Sequence, residues 1–349
     1  MSINFVNFTD DFKHMCVGAK NGFKFYKTES LLHNDAIEET ENGESDIIDC
    51  VIVEQLLAMQ MDLVISSADR NKMLIVQRST QKVMISHRFT EPVQAVRSSA
   101  KALAVCFQNS ISIYELPTMK SLQHIQNVLN NAFEVVDLTV RETDSILSYP
   151  TTNDSGLLTL NNATTSTVRQ FLAHNHALAC TKFNPEGTMI ATSSVSGTVI
   201  RVFLVSDFTC VFKFRRGFYR YAITSSLAFS MDSKFLCLST NTETIHVFKL
   251  DESTQLSSGW LSSIGRLVTN DNGLAMNERS FATAKLPIAG PSKIAIVEFG
   301  GHHYVLSATI TCWALNALTL HGKEMRDLFF WIKQHDSANY PFLEFYQTL

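Results

Sequence analysis

Short runs of β-branched and aromatic residues recur along the chain, each bounded by polar turn residues: GFKFYK (22–27), MLIVQR (73–78), ISIYEL (111–116), GLLTLN (156–161), TVIRVFLV (198–205) and TIHVFKL (244–250). Runs of this length and composition predict strands, and long helical patterns are nearly absent over 1–250. With Gly22, Lys72, Ser110, Gly156, Gly197 and Glu243 as start marks, the units repeat every 38 to 50 residues. That is the repeat length of a β-propeller, in which each unit is one four-stranded blade. Six marks predict at least six blades.

The clearest unit runs from 174 to 203. His174 is followed by a strand over Ala179–Phe183, a turn at Asn184-Pro185-Glu186-Gly187, a strand over Met189–Ser193, a turn at Ser196-Gly197 and a strand over Thr198–Phe203. The next unit repeats the plan with Ser225–Phe229, Phe235–Ser239 and Thr244–Phe248. This is the rhythm of WD40-like blades, although Val202-Phe203-Leu204 stands where a Trp-Asp dipeptide is expected.

Three stretches break the rhythm. The acidic segment 33–49 has the composition of a solvated loop. The insertion 251–281 carries Trp260, Leu261, Ile264, Leu267 and Val268 on one face of a helical pattern, with Ser262, Ser263, Arg266 and Thr269 on the other. That face suits either packing on the propeller wall or dipping into a membrane interface, with Arg266 near the headgroups. After 316 the text, ALTLHGKEMRDLFFWIKQHDSANYPFLEFYQTL, lacks blade spacing. The expected organisation is a single propeller over 1–316 and a divergent tail over 317–349.

Charge sharpens the picture. Residues 35–54 hold eight acids and no Lys or Arg, whereas 201–220 holds Arg201, Lys213, Arg215, Arg216 and Arg220 against Asp207 alone. A compact basic patch fits an anionic headgroup better than a long nucleic-acid track. Seven cysteines without a Cys-x-x-Cys read as buried, reduced thiols in a reducing compartment. The N-terminal text has no basic region followed by an apolar one, and no apolar span reaches 18 residues. The expectation is a cytoplasmic protein whose membrane contact is peripheral.

Motifs of catalysis are missing: there is no Gly-x-Gly-x-x-Gly, Walker loop, Gly-x-Ser-x-Gly or His-Glu-x-x-His. His174-x-His176 and His302-His303 lack Cys or carboxylate partners at ligand spacing, so neither an enzyme nor a metal site is expected. Binding is better supported. In Phe214-Arg215-Arg216-Gly217 the adjacent arginines point to opposite faces of a strand, which suits two ligands rather than one, the alternative being a solvated strand end. A guanidinium fork matches phosphate oxygens, hydroxyls add hydrogen bonds, and histidine adds charge as pH falls.

FRRG, followed by SLAFSMDS and STNTETIHVFKL and preceded by AHNHAL and SGTVIRVF, resembles the PROPPIN family, the WIPI-type phosphoinositide-binding propellers of autophagy. The resemblance implies an all-β, seven-bladed propeller with an atypical last blade. It also implies binding of phosphatidylinositol 3-phosphate and phosphatidylinositol 3,5-bisphosphate at two rim sites. Site one would comprise His174, Thr192, Ser194, Gly197, Thr198, Arg201 and Arg215; site two would comprise Arg216, Gly217, Thr240, Thr244 and His246. Thr192 and Thr240 stand where serine is common in the family. The insertion at 251–281 corresponds to the family's membrane-inserting loop, here Trp260, Leu261, Ile264 and Leu267. No cofactor is implied. The implied partners are 3-phosphorylated membranes of preautophagosomal and endosomal type together with autophagy lipid-transfer or conjugation machinery, and no nucleic acid. The rival from another class is a propeller scaffold that binds proteins independently of lipid.

Overall fold

The computed structural model describes residues 3–19, 22–33, 50–56, 59–80, 82–128, 135–216, 222–251, 280–286, 289–309, 314–321, 324–334 and 343–347. Apart from a short helix at Thr28–His33, every described element is a strand. The strands form seven antiparallel sheets, each a meander in chain order, over residues 3–27, 50–88, 95–126, 137–174, 178–215, 224–285 and 292–347. The first has three strands, the last five and the others four.

Position within a sheet decides burial. Second and third strands are enclosed on both faces, as in Met61–Ser66, where Leu63, Val64 and Ile65 are fully buried. Fourth strands such as Val83–Arg88 and Ser121–Gln126 alternate exposed and half-buried positions, as expected of a strand at the rim. The first strands are Ile3–Phe8, Cys50–Leu56, Ala95–Ser98, Asp137–Arg141, Leu178–Phe183, Thr224–Phe229 and Ser292–Phe299. Each contacts the first strands of the sheets before and after it, and the first of the seven contacts the last. The fold is therefore a closed β-propeller around a central channel.

Closure rests on a shared apolar cluster. Val6, Phe8, Met15 and Tyr26 of the first sheet pack with Ile294, Ile296, Val305 and Leu306 of the last. The boundary expected after 316 falls inside the strand Ala314–His321, and that sheet continues through Glu324–Gln334 and Leu343–Gln347. Glu324–Gln334, with 11 residues, is longer than any strand before it, so the spacing that reveals the other sheets fails there.

The acidic segment joins the first two sheets, and its residues 34–49 lie outside the described residues. The insertion joins the third and fourth strands of the sixth sheet, and 252–279, including Trp260, Leu261, Ile264 and Leu267, lie outside them too. No described helix is long and apolar enough to cross a membrane. Cys106, Cys180, Cys210 and Cys237 are outside any disulfide, and burial pushes Cys106 up to about 12.

Replacing Phe8 by Ala removes a buried ring from the closing cluster and should cost about 3 kcal/mol or more. Chemical denaturation measures this; the exposed Val168→Ala, on a rim strand, should change stability by less than about 0.5 kcal/mol.

Candidate anion-binding site

The Phe214-Arg215-Arg216 stretch ends the fourth strand of the fifth sheet, Cys210–Arg215. Phe214 is buried and stacks on Phe248 of the sixth sheet at 4.7 Å between ring centroids. Because side chains alternate along a strand, this contact turns Phe214 toward the sixth sheet and Arg215 toward the fourth.

Register assigns the neighbours. Thr192 pairs with Arg201, Arg201 with Lys213 and Val199 with Arg215, and directly paired residues share a face. Thr192, Ser194, Arg201, Lys213 and Arg215 therefore lie on the face turned to the fourth sheet. That sheet ends with buried His174, whose Nε2 lies 2.9 Å from Thr192 Oγ1. Arg201 Nη1 donates to the carbonyl of Ala173 at 2.5 Å, tying the two sheets together.

The sixth sheet repeats the arrangement. Leu238 pairs with His246, and His246 and Phe248 are two apart on one strand. Since Phe248 meets Phe214, the side chains of Thr240, Thr244 and His246 share the face turned to the fifth sheet. Each set has a buried hydroxyl bonded to another two residues on: Ser194 Oγ to Ser196 Oγ at 2.8 Å, and Thr240 Oγ1 to Thr242 Oγ1 at 2.7 Å.

Arg216 lies where the sets meet. Its backbone N–H donates to the Thr198 carbonyl at 3.0 Å and its Nε to the Gly197 carbonyl at 2.9 Å. Gly197 was expected in the first set and Arg216 in the second, yet the structure joins them. Gly197 has φ +60°, and a Cβ there would lie 1.7 Å from the Ala222 carbonyl oxygen, so only glycine permits this turn. Gly217 lies outside the described residues.

Burial sets the state of the two histidines. Burial, then Arg201, pushes His174 down to about 3, and burial, then Arg216, pushes His246 down to about 4. Both imidazoles are neutral at pH 7 and act as hydrogen-bonding groups rather than as ready positive charge. Sequence reasoning also missed Ser196 and Thr242, although the parallel Ser-x-Ser and Thr-x-Thr at matching turns pointed to them. Lys213, named only as part of the basic patch, is placed opposite Arg201 by register alone.

The carboxylates judged absent around His303 are present in space. Asp232, Glu298 and His303 bring one ligand atom each within 4.8 Å of one another. Lys234 Nζ, 3.2 Å from Asp232 Oδ2, already supplies a cation there.

The chain is a closed β-propeller that presents two polar, arginine-bearing faces at consecutive sheet junctions. More particularly, the chain belongs to the PROPPIN family, whose pattern matches residues 2–302. It is 38% identical over 331 residues to autophagy-related protein 18 of Caenorhabditis elegans, covering 88% of this chain and 80% of that protein. It is 32% identical over 305 residues to WD repeat domain phosphoinositide-interacting protein 1 of Homo sapiens, covering 84% and 68%. Among solved structures, KlAtg21 in complex with the coiled-coil of AgAtg16 matches with a TM-score of 0.73 at 19% identity, covering 94% of this chain and 98% of that chain, a likeness of fold.

Between the folded values near 3 and 4 and the ordinary 6.5, the unfolded chain binds protons at these histidines and the folded chain does not. Their contribution is thus complete above about pH 6.5 and is lost as pH falls through about 4 for His246 and about 3 for His174. The thermal midpoint should drop over that window, and His246→Gln should make the drop shallower. An unchanged slope in the variant would remove His246 from the account.

Proposed function

We propose that this protein is a non-enzymatic effector that reads phosphatidylinositol 3-phosphate and phosphatidylinositol 3,5-bisphosphate on cytosolic membranes. There it recruits machinery for autophagosome formation. The seven sheets serve as the blades of a seven-bladed propeller whose rim meets preautophagosomal and endosomal membranes. The observation that carries the reading is the duplication of one polar face at the fourth–fifth and fifth–sixth sheet junctions, with Arg215 turned to one and Arg216 reaching toward the other.

Site one takes a phosphate with Arg215 and Arg201, the hydroxyls of Thr192, Ser194 and Thr198, His174 and the Gly197 turn. Site two uses Arg216, Gly217, Thr240, Thr244 and His246. Arginine forks hold phosphate oxygens in pairs, and the hydroxyls fill the remaining acceptor directions. A phosphate dianion beside either histidine opposes the influence of the neighbouring arginine, so binding favours proton uptake. Two modest sites fixed in one body bind a membrane with avidity. The insertion loop adds apolar burial through Trp260, Leu261, Ile264 and Leu267, at roughly 25 cal/mol per Å². The human relative's name, phosphoinositide-interacting, supports the lipid reading, and the coiled-coil complex of KlAtg21 supports a protein partner beside it.

Arg215→Thr with Arg216→Thr should abolish flotation with liposomes containing phosphatidylinositol 3-phosphate while leaving the thermal melt cooperative. Flotation equal to wild type would sink the two-site reading and favour a lipid-independent scaffold. Trp260→Ser with Leu261→Ser should weaken liposome retention more than binding of soluble headgroup; equal losses would return the loop to a packing role.

A further inference from the structure

A cavity of about 610 Å³ opens at the end of the central channel where the first strands begin. Its wall draws on the first, second, third, fifth, sixth and seventh sheets, so it exists only because the ring is closed. Arg70, Arg97 and Lys293 line it, against Glu54 as the single carboxyl among the described lining residues. Burial, then Asp10, raises Glu54 to about 7, so near neutral pH this carboxyl is partly protonated and the mouth keeps a clear positive excess.

The wall also carries polar groups whose hydrogen-bonding capacity the protein does not use. Thr224 and Ser292 are 4% and 3% exposed, and Thr224 Oγ1, Ser292 Oγ and Arg70 Nε have no hydrogen-bond partner. All three residues line the same cavity. Buried polar atoms are nearly always satisfied, so three in one wall leave hydrogen-bonding capacity that a turn of each side chain would offer to an occupant of the cavity. Ser225, at an irregularity in strand register between Thr224 and Ser226, adds a hydroxyl, and Gln94 and Asn241 add amides.

We propose that this channel mouth binds a small soluble phosphorylated polyol. Three cations match phosphate oxygens. The neutral hydroxyls and amides match a polyol's hydroxyls. The volume suits a molecule of that size. The site is separate from the two rim sites: it lies on the channel axis, among first strands, whereas the arginine pair ends a fourth strand. A ligand here must come from solution, because a headgroup anchored in a bilayer edge-on to the rim does not reach the axis.

The test uses the full chain carrying Arg215→Thr and Arg216→Thr, so that rim binding does not contribute. Inositol 1,4,5-trisphosphate is titrated by calorimetry and thermal melt. The expected result is a raised midpoint and a single binding event, weakened at least about tenfold by adding Arg70→Gln or Lys293→Gln. Thr224→Val, close in shape, should weaken binding by a smaller factor and guards against a folding defect in the charge variants. No heat and no midpoint shift in the rim variant would overturn the proposal, as would affinity indifferent to Arg70 and Lys293. Arg70→Gln and Lys293→Gln in the otherwise wild-type chain should leave flotation with liposomes containing phosphatidylinositol 3-phosphate unchanged; loss of flotation would assign the cavity to membrane lipid instead and overturn the soluble ligand.

Discussion

The structure depends on a requirement of sheets that are apolar on both faces: each must be covered twice. The middle strands of the second to sixth sheets are largely enclosed, with Leu63, Ile75, Leu103, Ile113, Leu147, Leu158, Leu238 and Val247 almost fully buried. An open arc of such sheets would leave two apolar faces in water, one at each end. Closing the ring removes both at once, and the cluster of Phe8, Met15, Ile296 and Val305 is where that happens. The first and last sheets, one three-stranded and the other five-stranded, meet through side-chain packing, each a meander of consecutive strands. The functional surfaces follow from the same constraint, since every candidate site lies at a junction between sheets or on the channel the ring encloses.

Junctions also explain how two arginines adjacent in sequence are kept apart. Phe214 is wedged between the fifth and sixth sheets by Phe248, while Phe212 stacks beside it at 5.8 Å. With that ring fixed, alternation sends Arg215 to the other face, and the chain beyond it is held by two bonds from Arg216 to the Thr198 and Gly197 carbonyls. The hydrophobic anchor, rather than the charges, sets the spacing of the charges.

This division accounts for what the sequence disclosed. Strand periodicity and the turn at Asn184-Pro185-Glu186-Gly187 are local consequences of backbone geometry, and local text carries them. Contacts between sheets are different. Asp232 meets His303 across two sheets, and Glu54, Arg97 and Lys293 meet across three. Their spacing along the chain holds no period that relates them. The tail went unread because its long strand, Glu324–Gln334, departs from the length that made the earlier units visible. The neutral state of the histidines was hidden for the same reason: residue type gave an imidazole near 6.5, and only burial beside Arg201 and Arg216 moves it.

That neutrality bears on how phosphate sites of this kind stay stable when empty. A buried cluster of arginine and charged histidine would repel itself and weaken the junction that positions it. Holding His174 and His246 neutral leaves the charge on each face to its arginine and lysine side chains, two of which are bound to carbonyls, Arg201 to Ala173 and Arg216 to Gly197. A phosphate arriving at the proposed sites would then meet a preformed cradle and would favour, rather than oppose, a proton on the imidazole. Repulsion within the empty junction is avoided, and any positive charge gained by a histidine would come only with an opposite charge beside it.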